Sequence, residues 1–378
     1  MAVETMLDDR YLLQTPIGKG ASAVVYLAVQ NNIGRSVAVK VLKAEACTED
    51  EERERYLQEA SVVASLRHPN IVMVYDVGVT AEGTPYIVME YVPGSTLSRL
   101  LKGEGRLSPE RALPLFEQIA AGLGHAHRQG IIHRDIKPGN ILLEDRSTGF
   151  SLAKLSDFGV AKIDGNDLTQ TGNLVGTPHY MAPELFKGTA AGPASDLYGL
   201  GVLMYRALCG SLPFHAEDRF AVAAMHVNQP VPAFADMWPK HDIPRRLEDV
   251  VRRCLAKTPA DRYASAEDLL QDLAGVRMEL YPHLPVVVTD YTSMSMSRSQ
   301  TMSAGQKAMG AGLVTLLIGA AALGVVVVVG LALWWTMSSP ELAEAEPVDA
   351  APATARPPPA PPLPVAPPTP PAAAPAPE

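Results

Sequence analysis

The chain has 378 residues, 47% of them hydrophobic and 19% charged, with a formal net charge of −9. That length allows two or three domains, and the mild acidity excludes an electrostatic footprint for nucleic acid. Cys47, Cys209 and Cys254 are odd in number and far apart, which excludes a disulfide framework or a cysteine zinc site and leaves reduced thiols in a cytosolic domain.

Composition divides the chain. Up to about residue 280 the text is that of a globular protein with mixed charges; a polar Ser/Met-rich stretch, an apolar run and a Pro/Ala tail follow. The N-terminus MAVETMLDDR lacks the apolar core of a signal peptide. Residues 11–27 alternate as strands do around a glycine turn, and residues 37–42 form a short β-branched run. Residues 49–66 read as a charged amphipathic helix stopped by His68-Pro69. Strand-like runs recur at 71–79 and 86–91. From Ser108-Pro109-Glu110 the text is helical, opening on a Ser cap with Pro in the first turn. Strands plus one helix, then mostly helices, predict a β-rich lobe of about 90 residues beside a larger α-rich lobe, with a cleft between them.

Four motifs carry chemistry. Gly18-Lys19-Gly20-Ala21-Ser22-Ala23-Val24-Val25 lies between two strands. Glycines there allow a backbone to approach phosphate oxygens, although a plain hairpin turn would look the same. In Val37-Ala38-Val39-Lys40 a lysine interrupts an apolar strand and needs an anion or an exit to solvent. Glu59, 19 residues on and on the predicted helix, is the candidate partner. His133-Arg134-Asp135-Ile136-Lys137-Pro138-Gly139-Asn140 is a polar stretch held between apolar runs. Asp157, in Leu155-Ser156-Asp157-Phe158-Gly159, ends another. Asn140 and Asp157 are hard oxygen ligands, too few for a Ca²⁺ cage and suited to Mg²⁺ that keeps water and phosphate ligands.

With Ala182-Pro183-Glu184 added, the order and spacing resemble the eukaryotic-like protein kinase superfamily, most closely the bacterial transmembrane Ser/Thr kinases, over residues 11–276. The resemblance implies an α+β, bilobal kinase fold and a protein Ser/Thr kinase that transfers the ATP γ-phosphate to protein substrates, itself included. It also implies that Ile17 and residues 18–25 cover the ATP phosphates and that Ala38 packs on adenine. Met89 would be the gatekeeper, with Glu90 and Val92 as hinge contacts. Lys40 would hold the α- and β-phosphates, oriented by Glu59. Asp135 would accept the proton, Lys137 steady the phosphoryl group, and Asn140 and Asp157 bind Mg²⁺, for which Mn²⁺ can substitute. The Asp-x-Lys-Pro-x-Asn pattern and Thr177 imply Ser/Thr rather than Tyr specificity. Glu184 should pair with Arg262, and Asp196 with the backbone of the His-Arg-Asp turn. Thr169 and Thr171 match activation-loop phosphorylation sites, facing the cation Arg134. A pseudokinase scaffold or a small-molecule kinase are the competing readings. The presence of Lys40, Asp135, Asn140 and Asp157 speaks against the first, and the intact segment 176–184 against the second.

Residues 277–307 form a juxtamembrane segment, with Thr and Ser enriched over 292–301. Residues 308–337 carry no charge and include five successive valines. A helix over 313–333 spans about 31 Å at ~1.5 Å per residue, the hydrocarbon thickness, and Trp334 and Trp335 fit an interfacial belt. Bases before this helix and acids after it place residues 11–276 in the cytoplasm and the Pro/Ala-rich, disordered tail of 338–378 outside. Small residues at Ala311, Thr315 and Gly319 suit homodimerisation through this helix, and so phosphorylation in trans.

Overall fold

Alternation between apolar and polar residues builds the first lobe of the computed structural model, which describes residues 5–43, 50–145, 151–158, 178–238 and 242–285. All described residues belong to one compact unit. Cys47, Gly159, Thr169, Thr171, Thr177, the 308–337 run and the tail lie outside the described residues. Among the described residues no helix is long and apolar enough to cross a membrane.

A six-stranded antiparallel sheet has the order β1-β2-β3-β4-β6-β5. Its strands are Thr5–Leu7 (β1), Tyr11–Lys19 (β2), Ala23–Gln30 (β3), Arg35–Leu42 (β4), Val74–Val79 (β5) and Pro85–Glu90 (β6). One face buries Leu7, Tyr11, Leu13, Ala28, Val37, Val39, Tyr86 and Val88. The other face packs Leu42, Val74 and Ile87 against Tyr56 and Ala60 of α1 (Asp50–Val63). Register is what positions the cleft. β2 and β3 pair Gly18 with Val25, β3 and β4 pair Val25 with Lys40, and β4 and β6 pair Ala38 with Met89. The glycine turn, Lys40 and the strand leading out of the lobe therefore lie side by side.

Three boundaries differ from the sequence reading. Strand β1 was not foreseen; it is short, and only Leu7 of its residues is buried. Helix α1 closes at Val63 rather than near residue 66, because the chain tightens there into Ser65 N–H to Val62 O and Leu66 N–H to Val63 O bonds. The expected strand at 71–79 begins only at Val74; Ile71 instead bridges Leu155 of the second lobe, whose carbonyl accepts the Val72 N–H and whose N–H donates to the Asn70 carbonyl.

The chain leaves β6 through Gly94, whose φ of 142° suits glycine and where a Cβ would lie 2.1 Å from the Leu143 carbonyl oxygen. A second, three-stranded sheet follows from Gly94–Thr96 (β7), Ile141–Glu144 (β8) and Leu152–Leu155 (β9). The described helices of this lobe are Leu97–Glu104 (α2), Pro109–Arg128 (α3), Pro183–Phe186 (α4), Pro193–Cys209 (α5), Arg219–Asn228 (α6), Phe234–Met237 (α7), Arg245–Cys254 (α8) and Ala266–Leu280 (α9). Ser108 takes the N-cap position of α3 with Pro109 in the first turn, as expected, but its side chain makes no capping bond. Helix α5 is apolar nearly all round, and Leu197, Leu200, Val202, Leu203 and Met204 are inaccessible to solvent. Such a helix belongs at the centre of a core, each side chain contributing about 1.5–3 kcal/mol by burial. Arg277 of α9 donates to Glu117 of α3 at 2.8 Å, a buried pair joining the two helices that wrap this core.

Candidate active site

Between α3 and β8 the chain makes the polar turn singled out in the sequence. His133 at its start is fully buried. Its Nε2–H donates to the Ser156 carbonyl at 3.0 Å and its Nδ1 accepts the Asp135 N–H at 3.3 Å. Those partners fix the neutral tautomer, and burial lowers the imidazole pKa in agreement. Its ring lies 4.5 Å from that of Phe158.

Arg134 follows with a φ of 62°, a left-handed conformation that a long side chain rarely adopts. Asp196, in the first turn of α5, holds it there. Its two oxygens accept the N–H of His133 at 2.8 Å and of Arg134 at 2.9 Å, and His127 Nε2 reaches the same carboxylate at 2.8 Å. The expected contact of Asp196 with this turn is present. A carboxylate this buried is tolerable because both of its oxygens accept hydrogen bonds.

Asp135 then sits between two side chains. Lys137 Nζ donates to its Oδ2 at 2.7 Å, and Asn140 Nδ2 donates to its Oδ2 at 2.9 Å and to its carbonyl at 2.8 Å. The Asn140 carbonyl accepts both the N–H and the hydroxyl of Ser156, at 2.9 and 3.1 Å. Asp157 is thereby tied to the same turn. It too is left-handed, with a φ of 55°. Two strained non-glycine residues within one site, each over-determined by its surroundings, mark a place where geometry is held for a purpose.

Lys40 reaches across from β4 to Asp157, Nζ to Oδ1 at 2.5 Å. The ammonium thus pairs with the acid on the opposite wall of the cleft. Arg55, Glu59 and Val62 of α1 face Ile131, Arg134 and Phe158 across a cavity of about 320 Å³.

The protein kinase domain family matches residues 11–273. The chain belongs to it. The kinase domain is similar to that of the Ser/Thr-protein kinase PknA of Mycobacterium tuberculosis H37Rv, 42% identical over 75% of this chain and 65% of that protein. PrkC of Bacillus subtilis 168 is 37% identical over 72% of this chain and 41% of its own length. The chain thus spans between 41% and 65% of these curated relatives. Among solved structures, the M. tuberculosis PknI kinase domain superposes with a TM-score of 0.58 at 27% identity, covering 73% of this chain and 99% of that one.

The other predicted positions of the kinase domain that are described fall in both lobes. Residues 17–25 form the β2–β3 turn and its flanks, with Ile17 exposed. Ala38 is buried opposite Met89. Glu90 ends β6, and Val92 lies in the segment that leaves it. Glu184 and Arg262 make the expected pair, with bonds of 2.7 and 2.8 Å. Two lysines went unforeseen. Lys154 of β9 is buried and pairs with Glu90 at 2.9 Å, joining the two sheets. A lysine interrupting an apolar strand is the signal that had singled out Lys40, and it applies equally to Lys154. Lys43 bonds the glycine turn.

Proposed function

We propose that the protein is an ATP-dependent Ser/Thr protein kinase that phosphorylates proteins, itself among them, from the cytoplasmic face of a membrane. The observation that carries the reading is the Asp135 carboxylate, fixed by Lys137 and Asn140, on the wall of a cleft that also holds Lys40 and Asp157.

In this reading the purine lies on Ala38, next to the backbone of Glu90 and Val92, with Met89 behind it. The turn 17–25 covers the phosphates, and Lys40 gives them a positive partner. The substrate hydroxyl oxygen forms a bond to the γ-phosphorus as the bond from that phosphorus to the β–γ bridging oxygen breaks. The hydroxyl proton passes to Asp135, and Lys137 offsets the charge carried by the transferred group. Positioning and electrostatics supply the acceleration, since phosphoryl transfer asks little covalent work of the protein.

The residues also fit a divalent cation. Asn140 commits its amide nitrogen to Asp135 and keeps Oδ1 as an acceptor, and Asp157 has a second oxygen beyond the one on Lys40. Two hard oxygens suit Mg²⁺ or Mn²⁺ that takes its other ligands from water and phosphate. When bound, the ion would neutralise phosphate charge.

Ser/Thr specificity is supported by Lys137-Pro138 and by the names of the relatives PknA and PrkC. The uncharged run 308–337 supports a single membrane anchor, with self-association through it as a route to phosphorylation in trans at Thr169 and Thr171. The test is to incubate the full chain, in detergent, with γ-labelled ATP and Mg²⁺ and to identify the labelled amino acids. Phosphoserine and phosphothreonine in the wild type, absent from Asp135→Asn, are expected. An unlabelled wild type, or equal labelling of both, overturns the reading.

A further inference from the structure

The glycine turn is tied down by a residue outside every motif described above. Lys43 follows β4, and its N–H bonds the Ser22 carbonyl at 2.8 Å, extending the β3–β4 ladder one step beyond the Ala23–Leu42 pair. Its ammonium then turns back over the tip of the turn and donates to the Gly20 carbonyl at 2.9 Å and the Ala21 carbonyl at 2.7 Å. The turn is closed internally by the Gly20 N–H on the Ala23 carbonyl at 2.9 Å.

Two elementary facts give this clamp a consequence. Successive residues of a strand face opposite sides of the sheet. Lys43 is an odd number of steps from Lys40, whose ammonium faces Asp157 in the cleft, so Lys43 rises from the other face. In a trans peptide the carbonyl of one residue and the N–H of the next point in opposite directions, and the described residues contain no cis peptide. By holding the carbonyls of Gly20 and Ala21 on its own side, Lys43 turns the N–H groups of Ala21 and Ser22 to the Lys40 side. Among the described residues neither N–H has an acceptor. Consecutive backbone N–H groups aimed into one concavity form an anion site.

We infer that Lys43 is a positioning residue for nucleotide phosphates: it orients the Ala21 and Ser22 N–H groups as phosphate donors while itself lying outside the cleft. This rests on the reading of the cleft as an ATP site, and it assigns Lys43 a role in phosphate affinity distinct from the chemistry at Asp135.

The test measures equilibrium binding of ATP, ADP and adenosine to the full chain in detergent, for wild type, Lys43→Met and Lys43→Arg, with steady-state kinetics alongside. Loss of two charge-assisted bonds should weaken ATP and ADP binding about 10-fold in Lys43→Met. Adenosine binding should not change, KM for ATP should rise, and kcat at saturating ATP should stay within about 2-fold. Arginine, which keeps donors at the end of a long chain, should restore most of the affinity. Wild-type ATP affinity in Lys43→Met overturns the inference, as does an equal loss for adenosine, which would mean a general disturbance of the lobe. A wild type that binds adenosine and ATP equally weakly overturns the ATP-site reading itself.

Discussion

Asp196 accepts the Arg134 N–H at 2.9 Å while Arg134 holds a φ of 62°, so a residue of the buried central helix fixes a strained turn 62 positions earlier in the chain. The strain sits immediately before Asp135. Release of the turn would let Asp135 rotate away from Lys137 and Asn140.

Asp196→Asn is therefore expected to cost stability and activity together. An asparagine amide in that pocket offers one oxygen where the carboxylate offers two, and its NH₂ opposes a backbone donor. About 1–3 kcal/mol of stability should be lost, with at least about a tenfold fall in kcat from misplacement of the turn. Thermal midpoints and initial rates on the full chain check this. Unchanged kcat in a destabilised protein would separate the strained turn from catalysis.

Glu184 and Arg262 give a second, purely structural expectation. Burial alone would raise the Glu184 pKa, but Arg262, a backbone N–H and the Ser195 hydroxyl together outweigh it and hold the carboxyl below its usual range. The Arg262 side chain is inaccessible to solvent, and its remaining donors reach the carbonyls of Ala194 and Ala256 at 2.8 Å. Arg262→Met should destabilise by about 3–5 kcal/mol, because it strands a buried carboxylate. Adding Glu184→Gln should return part of that loss. Additive effects in the double-mutant cycle would show that the two charges do not stabilise each other.

His226 sets a pH dependence. It is fully buried on α6 among Phe186, Tyr198 and Phe214, and its Nδ1 accepts the Tyr198 hydroxyl at 2.8 Å. Burial, with Lys257 and His179 nearby, pushes its pKa down to about 3. The unfolded chain takes up a proton near pH 6.5, whereas the folded one does so only near pH 3. The stability contributed by the neutral ring is thus complete above pH 6.5 and falls as pH drops towards 3, by at most about 1.4 kcal/mol per pH unit. His226→Asn keeps an acceptor for Tyr198 and removes the titration. Its melting temperature should fall less than that of the wild type between pH 7 and pH 5. His133 and His179, also held neutral, remain in both proteins and cancel in the comparison. Parallel curves would exclude His226 as a source of acid sensitivity.

The cleft was legible in the sequence because its chemistry is contiguous. Asp135, Lys137 and Asn140 lie within six positions of one another, and their mutual bonds are local. The lobes were legible because strand alternation switches to helical text near Ser108. Contacts between distant elements were not. Lys154 meets Glu90 across 64 residues, and Lys43 meets Gly20 only because β4 runs beside the glycine turn. The bond from Lys40 to Asp157, 117 residues on, is of the same kind. Strand β1, with only Leu7 buried, has too little alternation to announce itself.

The division of labour within the cleft separates two substitutions that otherwise look alike. Asp135→Asn keeps the side-chain shape and an oxygen for Lys137 while removing the proton acceptor. Lys40 and Asp157 are untouched, so ATP affinity should stay within about 2-fold while kcat falls by about 10²–10⁴. Lys40→Met acts on the other side of the reaction. It removes a cation from the phosphate side of the cleft and leaves Asp157 without the partner it now holds at 2.5 Å. An uncompensated carboxylate facing polyphosphate repels it, so ATP affinity as well as kcat should fall. Excess Mg²⁺ should recover part of the affinity through Asp157, and none of the kcat in Asp135→Asn. Nucleotide binding titrated at low and high Mg²⁺ for both variants decides the matter. If Asp135→Asn loses affinity as Lys40→Met does, Asp135 belongs to the nucleotide site and is not the base.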